Sequence, residues 1–330
     1  MSELFSRDVF NVIAEIGGNH AGDLALAKRM VEAAAGAGVW AVKFQTYKTE
    51  EFVAPTSEYY EAFAAESLSF GEFEELAEYC RKLGVVFLST PFGKESADFL
   101  EVLKVPAFKI ASGDLTHLPF LAYVAEKGRP ILLSTGASEW EEIDSAVEIL
   151  REAQTEILLM HCTASYPAKD GEANLRVLPE MIRRYSMPVG FSDHTLGIEI
   201  ALGAVALGAV VVEKHFTIDQ DLPGGDNDIS IMPDELSSLV SQGRRIALAL
   251  GSGDRKLTDG EKILQPIMRR SLVASRALEA GHLLKKDDLL TVRPGTGLEP
   301  CEIENAVGKT INCGLEAGKV LTRDMLDGAE

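Results

Sequence analysis

The sequence predicts an α/β protein: a closed (β/α)₈ barrel followed by a smaller second unit. Three observations predict it. Short β-branched runs alternate with amphipathic stretches, the pattern of parallel strands joined by crossover helices. There are eight such pairs in roughly the first 250 residues, the size and repeat count of a (β/α)₈ barrel, with a doubly wound open sheet as the competing arrangement. From Gly251 to Asp259 the text turns rich in Gly, Asp, Lys and Thr, as a linker leaving the barrel would be.

The predicted strands and helices alternate along the chain. Val9 to Ala14 leads into the helix Leu24 to Ala37, and Trp40 to Phe44 leads, after a long connection, into Phe70 to Leu83. Val85 to Ser89 pairs with Lys94 to Leu103, Ala107 to Ile110 with Leu118 to Lys127, and Ile131 to Ser134 with Ser138 to Ala153. Ile157 to His161 precedes Leu175 to Arg184, Val189 to Phe191 precedes Ile198 to Leu207, and Val210 to Lys214 precedes Pro233 to Leu250. The connection from Gln45 to Ser69, with Pro55, Tyr59 and Tyr60, is too long for an ordinary βα loop and reads as a lid over the barrel mouth. The expected division is a barrel over 1–255, a linker over 256–275 and a second unit over 276–330. In that unit LEAGHLLKKDDL from Leu278 and LEAGKVLTRDML from Leu315 agree at seven of twelve positions, an internal repeat of two copies. A solenoid needs about three or more, so a small pseudo-symmetric domain is expected.

Composition narrows the function. The 330 residues carry 51 acidic and 32 basic side chains, a formal charge of −19, which repels phosphate backbones and anionic lipid surfaces and argues against a nucleic-acid partner. The longest uncharged run, Ile200 to Val212, is 13 residues, short of the roughly 18 that a membrane span needs. Met1 to Arg7 has neither the basic start nor the apolar middle of a secretory signal, and Cys80, Cys162, Cys301 and Cys313 show no C-x-x-C spacing. A cytoplasmic protein with reduced thiols is expected.

A barrel of this kind presents reactive side chains at the C-terminal ends of its strands. Here those ends carry Glu15 with Gly17, Asn19 and His20; Lys43 and Gln45; Ser89 and Thr90; Lys109 and Ser112; Ser134 and Thr135. The last three carry His161, Thr163 and Tyr166; Ser192, Asp193 and His194; and Glu213, Lys214 and His215. A lone strand-end Ser or Thr is ordinarily a cap or turn residue, but eight polar ends together point to a site. Lys43 and Lys109, near-buried, call for an anionic partner or a shifted pKa, and Thr90, Ser112, Ser134 and Ser192 near Gly113 and Gly136 are donors that suit phosphoryl oxygens. His194 and His215 close neighbouring strands, so they either share one metal ion with open positions or are two hydrogen-bonded histidines. Asp226, in the glycine-rich stretch from Pro223 to Asp228, orients a sugar hydroxyl or a metal-bound water, or makes an Asx turn.

The strings IAEIGGNHAGD, AVKFQT, FLSTPF, FKIASGD, LLSTGAS, HCTASYP, GFSDHT and VEKHFTID together resemble the sialic acid synthase family, the phosphoenolpyruvate-condensing enzymes that make nonulosonic acids. RPGTG from Arg293 and the two LEAG repeats resemble that family's antifreeze-like (SAF) domain, a small β-rich fold that covers the partner subunit's barrel. The resemblance implies a domain-swapped homodimer and condensation of phosphoenolpyruvate with the open-chain aldehyde of an N-acyl mannosamine-type sugar, assisted by Mn²⁺ or Mg²⁺. It implies metal binding by His194 and His215, and phosphoenolpyruvate binding by Lys43, Thr90, Lys109, Ser112, Ser134 and Ser192. It also implies acceptor binding by Gln45, Tyr166 and Asp226, with Arg293 reaching in from the other subunit and Glu15 beside the reacting carbons. HCTASYP carries Ala164 where many members are polar, and PGGDNDIS departs from the family's PGPDH form at Gly225 and Asn227; these leave open whether the acceptor is N-acetylmannosamine or a diacetamido-trideoxy hexose. Two other classes compete: a Schiff-base aldolase or lyase using Lys109 or Lys214, and a non-catalytic carbohydrate-binding protein.

Overall fold

Eight short strands, rich in Val, Ile and Leu as strands buried on both faces must be, form one parallel sheet. They are β1 (Asn11–Gly17), β2 (Ala41–Thr46), β3 (Val86–Pro91), β4 (Phe108–Ile110), β5 (Ile131–Ser134), β6 (Ile157–Cys162), β7 (Val189–Asp193) and β8 (Ala209–His215). The order is β3-β2-β1-β8-β7-β6-β5-β4, and β3 lies beside β4, so the sheet closes into a barrel rather than remaining the open, doubly wound alternative. The computed structural model describes residues 10–327, so Val9 of the expected first strand and the segment Met1 to Arg7 lie outside the described residues.

The helices in chain order are α1 (Leu24–Gly36), α2 (Thr49–Phe52), α3 (Tyr60–Glu66), α4 (Phe70–Leu83), α5 (Lys94–Val102), α6 (Leu118–Ala125), α7 (Trp140–Glu152), α8 (Val177–Tyr185), α9 (Glu199–Ala206) and α10 (Pro233–Leu250). Local chemistry sets their ends. Asp23 accepts the Ala25 and Leu26 N–H groups at the start of α1, and Ser69 and Glu72 form a reciprocal capping box on α4, which stops at Gly84 with φ +73°. The long connection from Gln45 to Ser69 is not structureless: it holds the two short helices α2 and α3.

Alternation along each strand sorts side chains into two layers. Ile13, Ala41, Leu88, Ala107, Leu132, Met160 and Val211 fill the barrel interior. Phe44, Phe87, Phe108 and Phe191 point outward into the shell beneath the helices, where the larger core lies. Phe44 stacks on Phe87 at 5.6 Å between ring centroids and meets Phe73 edge-on at 6.1 Å.

The chain divides after Gly251 into two compact units. Within 256–275, expected as linker, the chain forms helix α11 (Asp259–Met268), capped by Thr258, and then β9 (Ser271–Ala274). β9 pairs antiparallel with β10 (Leu289–Val292) in the second unit. The repeat is visible there as local two-fold symmetry: Leu278 and Leu315, the first residues of the two copies, exchange both backbone hydrogen bonds at 2.8 Å. The matching glycines Gly281 and Gly318 both turn through the left-handed region, at φ +87° and +83°, which explains the shared LEAG text. Leu278, Leu284, Leu289, Leu315, Leu321 and Leu326 fill this unit's own small core. Among the described residues no helix is long and apolar enough to cross a membrane.

Phe44→Ala removes a fully buried ring from the shell without touching the inward face of β2. It should cost about 3–5 kcal/mol, read as a lowered urea midpoint for barrel unfolding.

Candidate active site

Two residues beyond the apolar interior layer, the same alternation turns a polar layer inward at the C-terminal end of the barrel. Ile13 is followed by Glu15, Ala41 by Lys43, Leu88 by Thr90, Ala107 by Lys109, Leu132 by Ser134 and Val211 by Glu213. These side chains line one cavity of about 720 Å³ together with Gln45, Ser112, Cys162, Tyr166, Ser192, His194, His215 and Asp226. Every residue that the resemblance assigned to metal, phosphoenolpyruvate, acceptor or the reacting carbons therefore lies on this cavity except Arg293, which follows β10 in the second unit.

Four charged groups form the floor, and all are nearly closed to solvent: Glu15 is 2%, Lys43 4%, Lys109 3% and Glu213 5% exposed. Lys43 Nζ lies 2.8 Å from Glu15 Oε2 and 3.8 Å from Glu213 Oε1, and Lys109 Nζ lies 3.8 Å from the same Glu213 oxygen. Hydroxyls complete the network: Lys43 donates to Thr90 Oγ1 at 3.1 Å, Lys109 to Ser134 Oγ at 2.7 Å, and Ser192 to Glu213 Oε1 at 3.1 Å. Ser112 Oγ accepts the Gly136 N–H at 2.9 Å.

Burial divides the two acids. Desolvation pushes Glu15 up to about 7, Lys43 pulling against it and Glu213 adding to it. Glu213 is also desolvated, but Lys109 and Lys43 hold it below the usual carboxylate range. Burial lowers Lys109, only partly offset by Glu213, whereas the two carboxylates outweigh burial at Lys43 and raise it. One acid is thus poised to exchange a proton near neutral pH while the other remains a fixed anion.

The rings of His194 and His215 stand 5.3 Å apart, and Tyr166 packs against His194 at 4.2 Å between centroids, tilted by 36°. His194 Nδ1 donates to the Thr163 carbonyl at 2.8 Å, which leaves Nε2 with its lone pair free. His215 Nδ1 is buried without a hydrogen-bond partner, 3.5 Å from Asp226 Oδ2. Burial holds both imidazoles below their ordinary pKa, so both are neutral, the ligating form. The free His194 Nε2 and the unpartnered His215 Nδ1 are neutral nitrogen donors lining one cavity, a pair that fits a divalent cation; among the described residues no group of three or more His, Cys, Asp or Glu converges on a metal position.

Other strand-end residues take structural parts. Lys214, on the opposite face of β8, pairs with Asp193 at 2.8 Å and donates to the Thr195 carbonyl, so of the two lysines considered for a Schiff base only Lys109 lines the cavity. His20 accepts the Gly22 N–H and packs against Phe44; burial lowers it to about 4. Sequence reasoning had noted Glu213 at its strand end without giving it a part in the site. Its position two residues before His215, on the same face, was the available signal. Asn19 stands among the polar residues of the first strand end without a partner being legible, and Glu66 carries no signal, because the groups they hold are about 200 and 160 residues away in the chain.

The family model described as "NeuB family" matches residues 30–255, and the SAF domain model matches residues 269–327. The chain is 40% identical to the N,N'-diacetyllegionaminic acid synthase of Legionella pneumophila, over 94% of this chain and 92% of that one. It is 33% identical to the human N-acetylneuraminate-9-phosphate synthase, over 96% and 92%. Among solved structures, the N-acetylneuraminic acid synthetase of Leptospira borgpetersenii, crystallised with citrate, superposes with a TM-score of 0.76 at 38% identity, covering 78% of this chain and 90% of that one.

The raised Glu15 has a definite sign. Its folded-state value near 7 exceeds the ordinary 4.5, so the folded protein keeps a proton that the unfolded chain releases. That stabilisation is complete below pH 4.5 and is lost as pH rises through 7. Infrared titration should show one carboxyl titrating near pH 7 that is absent from Glu15→Gln; titration of Glu15 in the ordinary range would remove it as a neutral-pH proton carrier.

Proposed function

The chain belongs to the NeuB family of nonulosonic acid synthases and carries its SAF domain, and from that premise we propose how the cavity performs the condensation. Phosphoenolpyruvate and the open-chain aldehyde of an N-acyl hexosamine are the substrates, and a nonulosonate and phosphate are the products. The observation that carries this reading is the convergence of two buried lysines, four hydroxyls, a neutral histidine pair and one acid titrating near 7 on a single cavity.

Lys43 and Lys109, with Thr90, Ser112, Ser134 and Ser192, hold the carboxylate and phosphate of phosphoenolpyruvate, whose negative charge joins Glu15 and Glu213 as partner for the ammonium groups. Gln45, Tyr166 and Asp226 bind the amino sugar, and Arg293 of the other subunit reaches its N-acyl group. The Mn²⁺ or Mg²⁺ ion that His194 and His215 would hold supplies Lewis-acid polarisation of the aldehyde. The methylene carbon of phosphoenolpyruvate forms the new C–C bond as the aldehyde C=O π bond breaks, and positive charge develops at the carbon bearing the phosphate ester. Water adds there, its proton passing through Glu15 so that in net one proton reaches the former aldehyde oxygen, and the tetrahedral phosphohemiketal collapses to the ketone with C–O cleavage, its hydroxyl proton leaving with the phosphate.

Two observations extend the reading. The 40% identity to the Legionella enzyme supports a diacetamido-trideoxy hexose as the alternative acceptor to N-acetylmannosamine. On α11, Ile263 is 70% and Ile267 59% exposed, apolar area that a second copy would cover, consistent with a domain-swapped homodimer.

With phosphoenolpyruvate, Mn²⁺ or Mg²⁺ and a panel of N-acyl hexosamines, the protein should release phosphate and yield a product of nonulosonate mass; silence on every acceptor sinks the reading. Glu15→Gln should lower kcat by roughly 10²- to 10⁴-fold with both substrates still bound. His194→Ala and His215→Ala should abolish the metal dependence, and borohydride should trap no adduct at Lys109. Sedimentation should give twice the 35.7 kDa chain mass.

A further inference from the structure

The segment between β2 and α4 is tied down at two places. At one, Phe52 packs on Phe92 at 4.2 Å and on Phe63 at 4.8 Å between ring centroids, and Tyr47 Oη donates to the Phe63 carbonyl at 3.0 Å. At the other, the last residue of α3, Glu66, accepts the N–H of Gly225 through Oε1 at 2.8 Å.

The second tie is built to close tolerance. A Cβ on Gly18 would fall 2.5 Å from Glu66 Oε2, one on Gly22 would fall 2.4 Å from the Ala65 carbonyl oxygen, and one on Gly224 would fall 3.0 Å from Glu66 Oε1. Three glycines from the loops after β1 and β8 therefore make the seat for the end of α3. The next residue after Gly225 is Asp226. Its N–H donates to Asn19 Oδ1 at 2.7 Å, while Asn19 Nδ2 donates to the Phe216 carbonyl and to Ser230 Oγ, both at 2.9 Å. The turn carrying Asp226 is thus gripped from the barrel side by Asn19 and from the lid side by Glu66.

We infer that Glu66 is a positioning residue for the acceptor: by holding the Gly225 N–H it fixes the Gly224–Asp226 turn at the mouth, so that Asp226 meets the sugar hydroxyls preorganised. This rests on the reading of Asp226 as an acceptor ligand. Phosphoenolpyruvate has no part in it, because its lysines and hydroxyls stand on or just after β2 to β5 and β7 and pair with Glu15, Glu213, Gly136 and one another rather than with the turn or α3. A charge-assisted hydrogen bond to a carboxylate is the kind whose loss is felt as affinity.

Steady-state phosphate release by the full chain with Mn²⁺, phosphoenolpyruvate and N-acetylmannosamine or the best acceptor of the panel provides the test. Glu66→Ala should raise KM for the sugar about 10- to 100-fold, with KM for phosphoenolpyruvate and the melting midpoint unchanged. Glu66→Gln, which keeps a carbonyl acceptor for Gly225, should recover most of the loss. Hydrogen–deuterium exchange over Gly224–Asn227 should quicken in Glu66→Ala and not in Glu66→Gln, a measurement that needs no acceptor. Unchanged exchange in Glu66→Ala, or KM values for both substrates moving together, would overturn the inference. Absence of turnover in the unsubstituted protein would instead overturn the reaction.

Discussion

Everything in the barrel unit is arranged around two carboxylates and two ammonium groups held together out of water. An unpaired charge at such depth costs several kcal/mol, and no single pair here is enough. Lys43 leans on both Glu15 and Glu213, and Lys109 shares Glu213, so the four neutralise one another only as a set. They come from β1, β2, β4 and β8, which only a closed sheet brings to one centre. The set is also unequal: the two lysines hold Glu213 below the usual carboxylate range, while burial outweighs Lys43 at Glu15 and pushes it up to about 7.

The mouth follows a different principle. Above the charged floor the walls are backbone turns, and glycines at their contact points let side chains from distant loops close within hydrogen-bond distance. Glu66 sits among Gly18, Gly22 and Gly224, and its carboxylate is paired to a backbone N–H rather than to a cation. The floor is therefore suited to an anion and the rim to hydroxyl groups, which is the division of labour a phosphorylated enol and a neutral sugar require. The net charge of −19 says nothing of this, because the field that a substrate meets is set inside the cavity.

Much of this was legible in the residues. The helices over Phe70 to Leu83 and Pro233 to Leu250 run between the expected ends, because Ser69, Gly84 and Pro233 are strong local signals. The strand ends were legible because the end of a strand is a local property, and it marked Glu15, Lys43, Lys109 and Ser134 without reference to anything distant; that alternation turns all four inward is visible only in the folded strands. The helices α2 and α3 were not, because they are only 4 and 7 residues long and depend on the Phe52, Phe63 and Phe92 cluster rather than on an apolar stripe of their own. Lys214 was misleading for a related reason: strand-end position is written in the sequence, but the Asp193 partner that occupies it belongs to the neighbouring strand.

The sequence by itself determined the alternation of strands and helices, the polar residue at every strand end and the pairing of two LEAG copies, since each is a matter of period or local identity. Only the tertiary structure decided which acid titrates near 7, which lysine faces the cavity and which side chain grips the Asp226 turn. Those outcomes depend on desolvation and on distances between strands and loops far apart in the chain, and such distances exist only once the barrel has closed.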